Sequence, residues 1–176
     1  MKQNKAEKLL AGVLSISLAM GVSVMPAFAA QVQGPPYEDM SRVYLTKNYE
    51  LTNTGTISPE ETFTFAIEPG TVTDASEGIE AADYMPNVGD VTYAQGEAGS
   101  ASKTKKIEIK LPEYDSVGVY TYIIHEVAGN SAGVTYYGDA ILLRVTVIEQ
   151  DGKLRIAAVH TEDPESTGEG KKDDFD

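Results

Sequence analysis

Val43-Tyr44-Leu45-Thr46-Lys47-Asn48-Tyr49-Glu50-Leu51 alternates with period two, the pattern of a strand with one face in a core. Its odd positions read Val, Leu, Lys, Tyr and Leu, while its even positions read Tyr, Thr, Asn and Glu. Lys47 therefore lies on the apolar face, between Leu45 and Tyr49. A second run carries the opposite charge in the same kind of place. In Val119-Tyr120-Thr121-Tyr122-Ile123-Ile124-His125-Glu126, the even positions are Tyr120, Tyr122, Ile124 and Glu126. An acid in phase with Tyr, Tyr and Ile predicts a carboxyl facing the core that Lys47 faces. Ionised groups are seldom buried without partners, because desolvating each costs several kcal/mol.

Working outward, further alternating runs appear at Glu61–Ile67, Lys105–Leu111, Val117–Val127, Ala140–Glu149 and Lys153–His160. Gln150-Asp151-Gly152 joins the last two, and Asp-Gly between alternating runs is a strong hairpin signal. Residues 69–103 are rich in Gly, Ala, Ser, Asp and Glu and read as one long irregular insertion, with a short strand near Val91–Tyr93. No segment sustains a helical period. Six or seven short strands separated by turn signals predict an all-β chain, an antiparallel β-sandwich of about seven strands.

Residues 1–29 read as a signal peptide rather than as part of the fold. Lys2, Lys5 and Lys8 precede an apolar stretch from Leu9 to Met25. Pro26-Ala27-Phe28-Ala29 then predicts cleavage between Ala29 and Ala30, and hence secretion. Residues 30–40 read as a flexible lead-in and 41–176 as one domain. The whole chain carries a formal charge of −13, and without residues 1–29 it carries −15. That balance argues against nucleic acid and against an electrostatic hold on anionic lipid. With no cysteine and two histidines, zinc ligation and Cys- or His-based nucleophilic catalysis have almost no raw material. Glu162, Asp163, Glu165, Asp173, Asp174 and Asp176 lack the spacing of a calcium loop, so neither metal nor cofactor is expected. His125 and His160 read as strand residues near the surface.

Four fates are open to a lysine on an apolar face. It can snorkel to water, pair with Glu126, form a Schiff base with a carbonyl substrate, or be consumed in a covalent bond. The last has a definite chemistry. A lysine in a dry site gives up its proton more readily and becomes a nucleophilic amine, while a carboxyl there tends to keep its proton and can polarise an amide and shuttle protons. An Asn side chain held against such an amine would lose ammonia and leave an isopeptide bond.

Val43–Lys47, Phe63-Thr64-Phe65, Gly118–Val127, Gly133-Val134-Thr135-Tyr136-Tyr137 and Val145-Thr146-Val147 occur in an order that is informative. With these pieces the chain resembles the pilin isopeptide linkage domain of Gram-positive bacteria, the T-antigen-like backbone pilin family with CnaB-type immunoglobulin-like domains. The G-x-Y-x-Y-x-I-x-E run at Gly118–Glu126 is the most specific of them. The resemblance implies Lys47 as the amine and Glu126 as the assisting acid of an intramolecular isopeptide bond. It also places the partner Asn in a last strand of the form Phe-x-Asn. Here Phe175-Asp176 ends the sequence, so the Asn is expected just beyond Asp176, in a domain cut short in its last strand. Asp176 is a weaker substitute, one position out of phase. Such a bond closes a loop of about 130 residues, worth roughly 5 kcal/mol by chain entropy.

The function implied is a structural subunit of a surface pilus or adhesin stalk, joined to other pilin subunits by sortase in the cell wall. Lys171 and Lys172 are candidate sortase acceptors, against the simpler reading of a solvated charge pair. The alternative is an adhesin module that meets a host ligand through the 69–103 insertion, where Tyr84 and Tyr93 supply the aromatic groups. Beyond the self-directed pair, no nucleophile–base–orienter set points to an enzyme.

Overall fold

The computed structural model describes residues 39–53, 55–100 and 103–164, together with the backbone of Asp174–Phe175. Nine strands occur among them: β1 Arg42–Asn48, β2 Glu61–Thr73, β3 Asn87–Val88, β4 Val91–Tyr93, β5 Thr104–Lys110, β6 Gly118–Val127, β7 Ala140–Gln150, β8 Lys153–Glu162 and β9 Asp174–Phe175. They form a four-stranded sheet in the order β3-β5-β1-β9 and a five-stranded sheet in the order β4-β2-β6-β7-β8. The expected all-β sandwich is what the chain builds. Every pairing is antiparallel except β1 with β9, where Thr46 faces Asp174 and Lys47 faces Phe175 in parallel register.

The core follows from the period-two patterns. Leu45, Ile107 and Ile109 of one sheet meet Phe63, Tyr120, Tyr122, Ile124, Ile141, Leu143 and Val145 of the other in one buried cluster. The even positions of β6 are the inner ones: Tyr120, Tyr122, Ile124 and Glu126 are all buried. The Asp-Gly hairpin also forms. Asp151 and Gly152 take φ of 54° and 72°, the doubly left-handed turn whose twist suits adjoining strands.

Three boundaries depart from the sequence reading. β1 stops at Asn48, although Tyr49 stays buried beyond it. The 69–103 insertion is less irregular than its composition suggests. It holds two single-turn 3-10 segments, Ala81–Tyr84 and Glu97–Gly99, the expected β4, and the short β3, which the sequence did not announce. Its first residues belong to β2, which continues to Thr73 through Pro69-Gly70.

Proline removes a ladder donor and usually ends a central strand. Here the strand survives because Thr121 of β6 substitutes for the missing ladder. The Thr71 N–H donates to Thr121 Oγ1 at 2.7 Å, and Thr121 Oγ1 donates to the Thr71 carbonyl at 3.0 Å. The register with β6 shifts between Pro69 and Val72, as a bulge requires. Gly70 permits the close approach: a Cβ there would lie 2.5 Å from Thr121 Oγ1 and 2.8 Å from its carbonyl oxygen.

Candidate functional site

Lys47 on β1 and Glu126 on β6 belong to different sheets and meet across the core. Their side chains are 3% and 0% exposed, and Lys47 Nζ lies 3.0 Å from Glu126 Oε2. The contact is an ion pair by distance and not a hydrogen bond. Glu126 Oε2 accepts none among the described residues. Its other oxygen, Oε1, accepts the backbone N–H of Tyr137 at 3.3 Å. The snorkelling reading of Lys47 is therefore excluded, because the ammonium is as buried as its stem.

Aromatic rings wall the pair. Lys47 Nζ sits 4.5 Å from the centroid of Phe63, within cation–π range. Phe63, Tyr49 and Tyr93 pack edge to face, with centroids 5.1 to 5.7 Å apart. Tyr93 Oη donates to the Lys47 carbonyl at 2.6 Å. Burial, reinforced by the Glu97 and Glu126 carboxylates, pushes the Tyr93 phenol up to about 12, even though a backbone hydrogen bond from Lys105 pulls it down. Burial also raises the Tyr49 phenol, with Glu61 and Tyr136 adding to the effect.

A second lysine stands directly opposite Lys47: in the β1–β5 register it faces Lys105. Their environments differ. Lys105 Nζ is partly exposed, donates to Glu97 Oε2 at 2.6 Å and to the Thr92 carbonyl at 2.8 Å, and lies over the Tyr93 ring. That hydrogen bond, with a second from the Ala94 N–H, holds the Glu97 carboxyl below the usual carboxylate range. Lys105 thus makes two hydrogen bonds near the surface, whereas Lys47 is buried against Glu126 and the Phe63 ring.

Beside Lys47 opens a cavity of about 290 Å³ lined by Lys47, Tyr49, Thr52, Gly133, Val134 and Tyr136, among others. The stretch Gly129–Tyr137, which carries no strand, thus forms one wall of the site. Tyr136 Oη donates to Glu61 Oε1 at 2.8 Å, and Glu61 is itself only 8% exposed. The sequence reading missed Glu61, although the signal was present: Glu61 is in phase with Phe63, Phe65 and Ile67, the same anomaly that exposed Lys47. Nothing in the alternation reveals the role of Tyr137, whose backbone makes the contact.

Of the other residues singled out, Ala29, Ala30, Lys171, Lys172 and Asp176 lie outside the described residues. Tyr93 is fully buried and Tyr84, half-buried, is stacked on Tyr114, so both aromatic groups of the insertion take part in the packing of the domain. His125 lies 3.3 Å from Glu68 at the surface, and His160 is exposed.

Comparison with known proteins bears on the family and the fold. Residues 43–176 match the FctA family model, described as a Spy0128-like isopeptide containing domain. A pilin of Streptococcus pyogenes serotype M1 is 25% identical over 146 residues, covering 81% of this chain and 43% of that protein. The crystal structure of the major pilin from Streptococcus pyogenes aligns with a TM-score of 0.59 at 25% identity, over 77% of this chain and 49% of that one. The major pilin T-13 from serotype GAS131465 of the same species aligns with a TM-score of 0.60 at 23% identity, over 78% and 52%. The chain thus spans about half the length of the relatives it matches.

Proposed function

The chain belongs to the Spy0128-like isopeptide-containing domain family, and on that footing we propose that it is a structural domain of a surface pilus subunit whose Lys47 becomes joined to a side-chain amide on the last strand. One observation carries the chemistry. Glu126 Oε2 is buried, lies 3.0 Å from an amine, and accepts no hydrogen bond among the described residues. A buried carboxylate oxygen in that state is costly unless a further group uses it. The amide to be attacked is such a group.

The reaction exchanges one C–N bond for another and takes two protons from Nζ, one before the attack and one after it. A proton passes from Nζ to Oε2, leaving a neutral amine and a neutral acid. The acid hydrogen-bonds to the amide carbonyl as the amine attacks it. The attached nitrogen then passes its second proton, by way of Glu126, to the amide nitrogen, and the tetrahedral carbon expels ammonia while Glu126 keeps one proton. The parallel pairing of Lys47 with Phe175 supports a partner on this strand. Side chains alternate along a strand, so the position after Asp176 shares the phase of Phe175, whereas Asp176 does not. The expected partner is an Asn at that position.

A cross-link between the first and last strands routes tension through covalent bonds and spares the sheets between them. It is also proof against reduction, which suits an extracellular fibre. Residues 1–29 export the chain with cleavage between Ala29 and Ala30, and sortase joins it to further pilin subunits in the cell wall, with Lys171 and Lys172 as candidate acceptors against the simpler reading of a solvated charge pair. The deciding experiment is the intact mass of the chain carried on through the residues that follow Asp176 in its gene. A deficit of one ammonia, abolished by Lys47→Ala and by Glu126→Ala, is expected. A deficit of one water would move the partner to an aspartate, and an unchanged mass with Asn after Asp176 would leave Lys47 and Glu126 as an ion pair only.

A further inference from the structure

We infer that Tyr136 is a positioning residue for Glu126, acting through a latch to Glu61; the inference rests on the reading of Lys47 and Glu126 given above. Glu61 is a buried carboxylate that this chemistry does not use. It sits at the first position of β2, on the inner face, two residues before the Phe63 ring that lies against Lys47. A carboxylate placed there costs free energy unless a donor meets it. Tyr136 Oη is that donor, at 2.8 Å, and the same oxygen accepts the Ser131 N–H at 3.4 Å. The Tyr136 ring also packs on Phe63, with centroids 5.8 Å apart.

The stretch from Gly129 to Tyr137 carries no strand, and these contacts are among those that place it. Its tightness is visible at Gly129, where a Cβ would lie 2.3 Å from Tyr136 Oη and 2.7 Å from Cζ. The residue following Tyr136 supplies the N–H that holds Glu126 Oε1. With Oε1 engaged from that side, Oε2 is the oxygen turned to Lys47. A carboxylate rotates about its last bond unless one oxygen is fixed. The path from Glu61 through Tyr136 and the Tyr137 N–H to Glu126 thus selects the oxygen that faces the amine, and it closes one wall of the site against water.

The test uses the chain carried on through the residues after Asp176, and it reads both the fraction that has lost ammonia and the first-order growth of that fraction on incubation. Tyr136→Phe and Glu61→Ala are expected to convert about tenfold more slowly than the unaltered chain, the scale of one lost hydrogen bond. Glu61→Gln is expected to convert at the unaltered rate, because its amide oxygen still accepts from Tyr136. A general loss of stability would slow all three in proportion to their melting temperatures, measured in a Lys47→Ala background where no bond forms. In the same background, hydrogen exchange at the Tyr137 amide is expected to accelerate with Tyr136→Phe and not with Glu61→Gln. Gly129→Ala, which displaces the Tyr136 ring without touching either carboxylate, should reproduce both effects. If the unaltered chain loses ammonia and Tyr136→Phe matches its rate, the latch is overturned while the isopeptide stands. If the unaltered chain keeps its ammonia, the isopeptide reading falls and takes with it any chemical role for the latch, whatever the exchange shows.

Discussion

Lys47 and Glu126 approach to 3.0 Å between two sheets, yet no hydrogen bond directed at Glu126 Oε2 joins them. A pair evolved only for stability would gain from directed geometry, because desolvation of two charges is repaid only when the remaining lone pairs and protons are satisfied. Here the amine and the acid are close enough to exchange a proton and are left with capacity for a third group. That arrangement is compatible with the chemistry proposed above, in which the pair acts on a third group.

Removing one partner should cost more than removing both. For the chain ending at Asp176, Lys47→Met strands a buried carboxylate and is expected to lower unfolding free energy by about 3–5 kcal/mol. The double change Lys47→Met with Glu126→Leu should recover most of that loss. Urea denaturation of the two variants beside the unaltered chain measures the difference, and a double variant no more stable than the single one would contradict the account.

Tyr93→Phe removes the hydroxyl that donates to the Lys47 carbonyl at 2.6 Å while keeping the ring packing on Phe63 and Tyr49. The expected loss is about 1–2 kcal/mol. Tyr44→Phe, on the exposed outer face of β1, should change stability by well under 1 kcal/mol and serves as the control. Equal losses from the two would mean that the buried hydroxyl contributes nothing of its own.

Alkali should unfold this domain earlier than a surface-tyrosine protein. Burial raises Tyr93 and Tyr114 to about 12 from an ordinary value of 10.0, and raises Tyr122 further. A phenol raised in the folded state stays neutral there while the unfolded chain already ionises. Stability from these groups is therefore complete below about pH 10 and is lost as pH climbs through 10 to 12. Tyr114→Phe should shallow that decline. Melting temperatures recorded from pH 8 upward would show it, and a curve flat to pH 12 would refute it.

Gly70→Ala forces a methyl to within 2.5 Å of Thr121 Oγ1 and 2.8 Å of the Thr121 carbonyl, neither of which can retreat without opening the β2–β6 pairing. A loss of about 1–3 kcal/mol is expected. Thr121→Val should cost a similar amount by leaving the Thr71 N–H and carbonyl without their partner. Calorimetric melting of both variants decides, and an unchanged melting temperature for either would remove the bulge from the structural account.

Much of the architecture was legible because alternation is a local property. β1, β2 and β5 show it cleanly enough to mark an apolar face, β6 less so because Val119 and Ile123 stand on its other face, and Asp151-Gly152 carries its own turn geometry. What failed were places where a partner overrides a local rule. Pro69-Gly70 looks like a stop and is carried by a threonine about fifty residues away, at 2.7 Å. β3 is two residues long and exists through its pairing with β5.

The candidate site divides along the same line. The sequence by itself determined that Lys47, Glu61 and Glu126 stand in phase with core residues, because side-chain direction in a strand depends on parity alone. Only the tertiary structure decided that Lys47 meets Glu126 while Lys105 is taken by Glu97, that Tyr136 holds Glu61, and that a backbone N–H from Tyr137 turns one carboxylate oxygen away from the amine. Those contacts join strands and a loop from different sheets, and distance between sheets is set by the pairing of the whole chain, which no stretch of alternation encodes.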